Sequence, residues 1–248
     1  MPTFSVLIAN YNNGRYLRQA IDSVYAQTIA DWEIVIVDDY STDNSADVIN
    51  GIISDSRIRF YRNDSNYGCG YTKRRCVELA NGTICGFLDS DDALTPDALA
   101  VMVKAHTDNQ DVSMIYSRFY ACDEHLNVQN VSKQQCEIPH DSSFLEYNRG
   151  AISHFVTFKK SAYDKTPGIN PMVFAAVDHD LYLKLEEVGK TLFIDRPLYY
   201  YRQGTGNNIS LGNRVKTAYY WSLFVMSEAC TRRNLNAEKV VFPLYDNL

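Results

Sequence analysis

With 248 residues, 46% of them hydrophobic, the chain can bury a core of its own, and a single α/β unit of ordinary size is expected. Its 30 aspartates and glutamates outnumber 24 lysines and arginines for a net charge of -6, and no basic block is long enough to track a phosphate backbone, which excludes a nucleic-acid partner. Six scattered cysteines show neither a CxxC pair nor zinc-ligand spacing, which excludes a disulfide frame and a zinc site and suits reduced thiols in a cytoplasmic setting.

Phe4 to Ala9 reads as the first strand; it has no basic leader and is too short for a signal-peptide core. Leu17, Ala20, Ile21, Val24 and Tyr25 then recur at i, i+3, i+4, i+7 and i+8, the spacing of a helix with one buried face. Glu33 to Val37 is the second strand, and after Asp38 and Asp39 the polar run Ser41 to Ser45 caps a short helix expected to reach Ile53. Ile58 to Tyr61 is a third strand, and residues 70–80 form a helix. Ile84 to Leu88 is an apolar strand that runs straight into Asp89-Ser90-Asp91-Asp92, after which Thr95-Pro96-Asp97 opens a helix with a cap, a first-turn proline and an acid. Val112 to Ala121 follows as a long strand. Strands alternating with helices in this way predict a mostly parallel central sheet with flanking helices.

Residues from Cys122 to Asn148 are polar and irregular and mark a change in organisation. Beyond them come a strand over Phe155 to Phe158, a helix over Asp178 to Val188, two strands over Thr191 to Ile194 and Leu198 to Tyr201, and a terminal helix over Arg214 to Arg233. The divisions expected are an α/β half over 1–121, a smaller second half of the same domain over 122–211, and a helical segment over 212–248. No run of about 18 apolar residues is present to span a bilayer. Tyr219, Tyr220, Trp221, Leu223, Phe224 and Val225 lie beside Lys216, Arg232 and Arg233, which sets peripheral attachment at the inner face of the membrane against packing on the core or a homodimer interface.

In open α/β sheets ligands bind outside the carboxyl ends of the strands, and three acidic groups stand there: Asp38-Asp39, Asp89-Ser90-Asp91-Asp92 and Asp178-His179-Asp180. Packing Asp89, Asp91 and Asp92 together costs self-repulsion unless a cation compensates, and hard oxygen ligands suit Mg²⁺ or Mn²⁺. Lys73 is either a cation for a phosphate group or a solvated helix lysine. His154 and His179 are candidates for contact with a ligand, against a purely structural role. An Asp-x-Asp at a strand end also opens the site of phosphatases with an Asp nucleophile, a reading that leaves Asp38-Asp39 unexplained. A pocket that binds without turnover is the other alternative. No GxGxxG follows the first strand, which disfavours a dinucleotide oxidoreductase.

At these residues the chain resembles family 2 glycosyltransferases, which have the Rossmann-like nucleotide-diphospho-sugar transferase fold called glycosyltransferase A, over roughly residues 4–202. Ser5 to Asn12 looks like the family's opening strand. Val35-Ile36-Val37-Asp38-Asp39-Tyr40-Ser41-Thr42-Asp43 is similar to its second-strand signature, with Tyr40 where Gly is usual. Asn66-Tyr67-Gly68 leads to Lys73, where Arg is common, and Gly86-Phe87-Leu88-Asp89-Ser90-Asp91-Asp92 matches the DXD-type metal motif.

The resemblance implies a nucleoside-diphosphate sugar donor, commonly a UDP-sugar, and a saccharide or lipid-linked acceptor, with inversion. It places the enzyme in polysaccharide, lipopolysaccharide or glycolipid synthesis. Ala9, Asn10, Tyr11, Lys73, Asp89, Ser90 and Asp91 would line the donor site, Asp39 would accept a hydrogen bond from the base, and Asp91 and Asp92 would hold Mn²⁺ or Mg²⁺. Asp178 falls at the position of the acceptor-activating base; the family pattern there is Glu-Asp, this chain has Val177 in place of the Glu, and Asp180 competes for the role. Tyr201-Arg202 resembles the strand before a phosphate-contacting loop, with Gln203-Gly204 where a His is usual.

Overall fold

β1 (Phe4–Asn10) leads through α1 (Gly14–Tyr25) to β2 (Trp32–Asp38), α2 (Ser45–Asn50), β3 (Ile58–Arg62), α3 (Cys69–Leu79) and β4 (Ile84–Phe87). β2 is buried throughout and β1 nearly so, as befits apolar strands covered on both faces in a parallel sheet. Leu17, Ala20, Ile21 and Val24 all turn inward from α1, as their spacing predicts. The helix expected to reach Ile53 stops at Asn50; of its polar cap run, Asp43 Oδ1 accepts from the Ser45 amide at 3.0 Å.

The computed structural model describes residues 1–147, 150–205 and 215–241. The chain continues through β5 (Ala93–Leu94), α4 (Ala98–Asp108), β6 (Val112–Cys122), β7 (Val128–Val131), β8 (Val156–Lys159), α5 (Lys160–Tyr163), α6 (Val177–Glu186), β9 (Lys190–Arg202), α7 (Val215–Arg232) and α8 (Ala237–Val240). The helix expected to open at Thr95-Pro96 opens at Ala98, because Ala93 and Leu94 pair with β9 and the Thr95 amide donates to Leu198 O at 3.1 Å, which keeps the chain extended. The two strands expected between Thr191 and Tyr201 are one. Pro197, which cannot donate to a ladder, sits opposite Arg118, where the register shifts. The polar stretch after Cys122 also holds a short, exposed strand, β7, paired with β6; its far end, Asn148, and the start of the terminal helix at Arg214 lie outside the described residues.

The sheet runs β3-β2-β1-β4-β8-β6-β9-β5, with β7 on the side of β6. β1 to β4, β6 and β9 point one way, and β8 and β5 run against them. Alternate residues feed two cores: Val6 and Ile8 with Leu17, Ile21, Leu99 and Met102 on one face, and Leu7 with Val77, Leu181, Leu185, Val225 and Met226 on the other. α7 thus packs its apolar side on the core, while Tyr220 and Phe224 remain exposed. Arg232 pairs with Glu187 at 2.8 Å, and Arg233 with Glu186 at 2.8 Å. Among the described residues no helix is long and apolar enough to cross a membrane.

Candidate active site

The carboxyl ends of β1, β2 and β4 open on one cleft of about 520 Å³, a volume suited to a nucleotide-sized ligand. It is lined by Ala9, Asn10, Tyr11, Asp39, Lys73, Asp89, Ser90, Asp91, Asp92, His154 and Asp178, all singled out from the sequence. Asp180, His179 and Arg202 lie elsewhere. Asp180 is 3% exposed, pairs with Lys184 at 2.7 Å and accepts from the Asn170 amide at 2.8 Å. His179 lies between α6 and α7, edge-on to Phe144 and 3.5 Å from Ser222 Oγ. Arg202 is buried behind the acidic loop, donating to Asp91 O at 2.5 Å and to Gln19 Oε1 at 2.7 Å.

At the end of β1, Asn10 donates to Asp38 Oδ2 at 2.8 Å, and its own Oδ1 is buried without a donor among the described residues, a need that a ligand N–H can meet. Asp38 accepts from both the amide and hydroxyl of Ser41, so it serves as the frame of the turn. The turn passes through Tyr40 at φ 64, the left-handed conformation for which a glycine is the usual choice, and its ring carries the Arg62 guanidinium at 5.3 Å. Asp39 is thereby delivered to the cleft wall. Its Oδ1 accepts from Asn63 Nδ2 at 2.7 Å and the Tyr67 amide at 2.9 Å, and its Oδ2 from the Gly68 amide at 2.8 Å. Gly68 has φ 89, and a Cβ there would meet the Phe174 ring at 2.6 Å, so only glycine lets this loop close on Asp39.

The acidic loop after β4 is built tightly. Asp92, 1% exposed, accepts from the Tyr199 hydroxyl and from the Arg202 amide, each at 2.7 Å. Burial, then the charges of Asp91 and Asp89, push the Asp92 carboxyl well above the ordinary range. Burial and Asp89 push Asp91 up to about 6. One ligand atom each from Asp89, Asp92 and His154 lies within 4.8 Å of the others. Donors bound at about 2.0–2.6 Å across a hard divalent ion stand about 4–5 Å apart, so this group fits such an ion, and the repulsion between the acids is relieved by one. Asp91 is outside that trio; its Oδ2 accepts from Thr205 Oγ1 at 3.4 Å.

Lys73 of α3 is buried rather than solvated. Its side chain is 8% exposed, and its ammonium lies 2.7 Å from Asp178 Oδ1 and 3.4 Å from Asp89 Oδ1. Burial works against its charge, but Asp178 and then Asp89 outweigh it and raise Lys73 well above the usual amine range. Asp178 stands in the first turn of α6, just after Ala176, whose φ of 58 is a strained conformation for a residue with a Cβ. Enclosure in the cleft would raise the Asp178 carboxyl; the Lys73 charge and hydrogen bond reverse that and hold it below the ordinary range. It is therefore ionised at neutral pH, the state a general base requires.

His154, just before β8, lies flat on Tyr201 with ring centroids 4.1 Å apart and on Tyr199 at 5.5 Å, with Phe119 edge-on. Burial keeps it neutral to below its ordinary pKa. The sequence did not signal Phe174, Cys69 or Thr72, which also line the cleft. Phe174 is 50% exposed and 5.9 Å from the Trp221 ring, at the mouth beside Asp178.

A family model described as glycosyl transferase family 2 matches residues 5–167. Among similar proteins, the chondroitin synthase of Pasteurella multocida (strain Pm70) is 31% identical over 220 residues, covering 86% of this chain but 22% of that protein. The fold is that of solved glycosyltransferase structures. S. aureus TarS 1-349 in complex with UDP superposes with a TM-score of 0.74 at 16% identity, over 96% of this chain and 68% of that one. The mannosyltransferase PcManGT of Pyrobaculum calidifontis, in complex with GDP-Man and Mn²⁺, does so with a TM-score of 0.64 at 15% identity, over 99% and 81%.

Proposed function

The chain belongs to glycosyl transferase family 2, and from that premise we propose that it moves a sugar from a UDP-sugar to an acceptor hydroxyl with inversion, in the synthesis of a polysaccharide, lipopolysaccharide or glycolipid. The observation that carries this reading is the meeting, in one cleft, of a carboxylate at the end of β2 (Asp39), an acidic cluster after β4 and a separate carboxylate on α6 held ionised by Lys73 (Asp178). On this reading residues 1–121 form the donor side, 122–211 the acceptor side and 212–248 a C-terminal segment, of which α7 packs on the core.

Asp39, fixed by three donors, keeps one lone pair for the N–H of a uracil ring. Asp91 and Asp92, with Asp89 alongside, would hold Mn²⁺ or Mg²⁺, which when bound neutralises charge on the departing diphosphate. Lys73 adds a buried positive charge between that cluster and the base. Asp178 accepts the proton of the acceptor hydroxyl as it attacks the anomeric carbon from the face opposite the leaving group, which inverts that centre. Phe174, exposed in the cleft lining, offers an apolar ring face to an acceptor sugar. The chondroitin synthase relative and the UDP and GDP-Man complexes of the fold relatives support a hexosyl or N-acetylhexosaminyl donor and a saccharide acceptor. Six free thiols support a reducing, cytoplasmic setting.

A panel of nucleoside-diphosphate sugars, assayed for Mn²⁺-dependent binding and for donor hydrolysis or transfer, tests the proposal. UDP-sugars are expected to bind and turn over. Tight uridine nucleotide binding with no turnover of any donor would replace it with a binding-only role.

A further inference from the structure

Tyr199 does two things at once: its hydroxyl holds Asp92 Oδ2 at 2.7 Å and its ring stacks on His154 with an interplanar angle of 10°. Tyr201, two residues on and so on the same face of β9, stacks on the same imidazole at 4.1 Å. His154 is thus set in plane beside the acidic loop by the strand that also sets Asp92. Its environment differs from that of the other inward-facing imidazoles. His106 bonds Thr157 Oγ1 at 3.0 Å and His179 meets Ser222 Oγ at 3.5 Å, whereas among the described residues no hydrogen bond ends on a ring nitrogen of His154. A ring nitrogen instead stands within 4.8 Å of carboxylate oxygens of both Asp89 and Asp92.

We propose that His154 is a nitrogen ligand of the divalent cation, forming with Asp89 and Asp92 a mixed site that favours Mn²⁺ over Mg²⁺. The inference rests on the donor-site reading above. Five carboxylates, Asp39, Asp89, Asp91, Asp92 and Asp178, line the cleft with one ammonium, Lys73, so a dication offsets part of the excess of acids and a neutral imidazole adds a donor atom without adding negative charge. Mg²⁺ keeps to oxygen ligands and its own waters, while first-row divalent ions accept imidazole, so the nitrogen supplies discrimination that an all-carboxylate site lacks. Stacking between tyrosines fixes the ring as outer-shell partners fix other metal-binding histidines.

The test is pulsed electron paramagnetic resonance on the full chain loaded with Mn²⁺ and UDP, prepared with ordinary and with ¹⁵N-labelled histidine. Modulation from a directly bound nitrogen is expected, and it should change with the label. Of the chain's five histidines only His154 lines the cleft, so the unsubstituted protein alone decides whether the ligand exists. His154→Phe, which keeps a ring to stack and removes the nitrogen, should abolish the modulation. It should also weaken Mn²⁺ at least about 10-fold while shifting Mg²⁺ far less. Mn²⁺ bound without histidine modulation, or modulation that survives His154→Phe, overturns this inference and leaves the donor reading standing. Failure of the unsubstituted protein to bind Mn²⁺ with UDP overturns both.

Discussion

The Lys73 ammonium lies 2.7 Å from Asp178 Oδ1, joining residues 105 positions apart and tying the candidate base to the helix that flanks the donor side. Asp178→Asn keeps the side-chain shape and removes its basicity. Turnover should fall on the order of 10²–10⁴-fold, with donor and Mn²⁺ affinity little changed. Asp180→Asn should instead act through stability, because Asp180 is occupied with Lys184 and the Asn170 amide. Near-normal transfer by Asp178→Asn beside an inactive, well-folded Asp180→Asn would exchange the two assignments.

Removing the cation tests the same pair from the other side. Lys73 lowers the Asp178 carboxyl, so its loss lets that carboxyl rise. A base must be ionised, and activity is lost as pH falls through its folded-state pKa; Lys73→Met should therefore move the acid limb of kcat/KM to higher pH as well as lowering the rate. An acid limb that stays where it was means that Asp178 is not the group it reports.

Asp39 sits at the end of β2, away from the acidic loop, and is held by Asn63, Tyr67 and Gly68. Its replacement by Ala should weaken uridine and UDP by similar factors, on the order of 10-fold, as expected for loss of a hydrogen bond involving a charged group. If calorimetry shows UDP weakened and uridine unaffected, Asp39 serves the diphosphate rather than the base.

Much of this site was legible because strand ends announce themselves. The apolar runs before Asp38 and Asp89 have no polar alternation, which fits parallel strands buried on both faces, and each stops abruptly at acids. The Asp180 to Lys184 spacing was also a readable i,i+4 pair, and it is what withdraws Asp180 from the cleft. Long-range partners were not legible. Nothing local to Lys73 shows that α6 will bring Asp178 to it, and nothing near His154 shows that β9 will present Tyr199 and Tyr201 to its ring. The continuity of β9 was not legible either: Pro197, with no N–H for a ladder, lies between the two expected strands, and the register shift at Arg118 opposite it is a long-range feature. Nothing near Arg202 in the sequence shows that its guanidinium will be buried behind the acidic loop, donating to the Asp91 carbonyl.

The acidic cluster makes a further prediction about the protein without metal. Burial and Asp89 raise Asp91 from 3.8 to about 6, so its contribution to stability is fully present below its unfolded value and is lost as pH rises through about 6. At pH 7 to 8, in chelator, Asp91→Asn should therefore melt a few degrees above the unsubstituted protein, and the gap should close below about pH 4. With Mn²⁺ and UDP added the order should reverse, because the cation stabilises only the intact site. A variant that melts lower in chelator at pH 8 would give Asp91 a structural role.

The last prediction concerns a group outside the cleft. His106 on α4 is 2% exposed; its Nε2 contacts Thr157 Oγ1 at 3.0 Å, and its Nδ1 is buried with no partner among the described residues. Burial first, and then the Lys159 charge, lower it from 6.5 to about 4. The folded protein therefore takes up this proton later than the unfolded chain does. Stability tied to the neutral ring is present above 6.5 and is lost as pH falls through about 4, by up to about 3 kcal/mol over that window. His106→Gln cannot titrate there. It should be less stable at pH 7, where it gives up packing against β8, yet lose less stability between pH 6.5 and 4, so that denaturant unfolding energies of the two proteins converge on acidification. Asp91 contributes with the opposite sign in this range, but it is common to both proteins and cancels in their difference. If the two curves run parallel from pH 7 to 4, His106 is protonated as readily in the folded state as in the unfolded chain, and its burial carries no proton linkage.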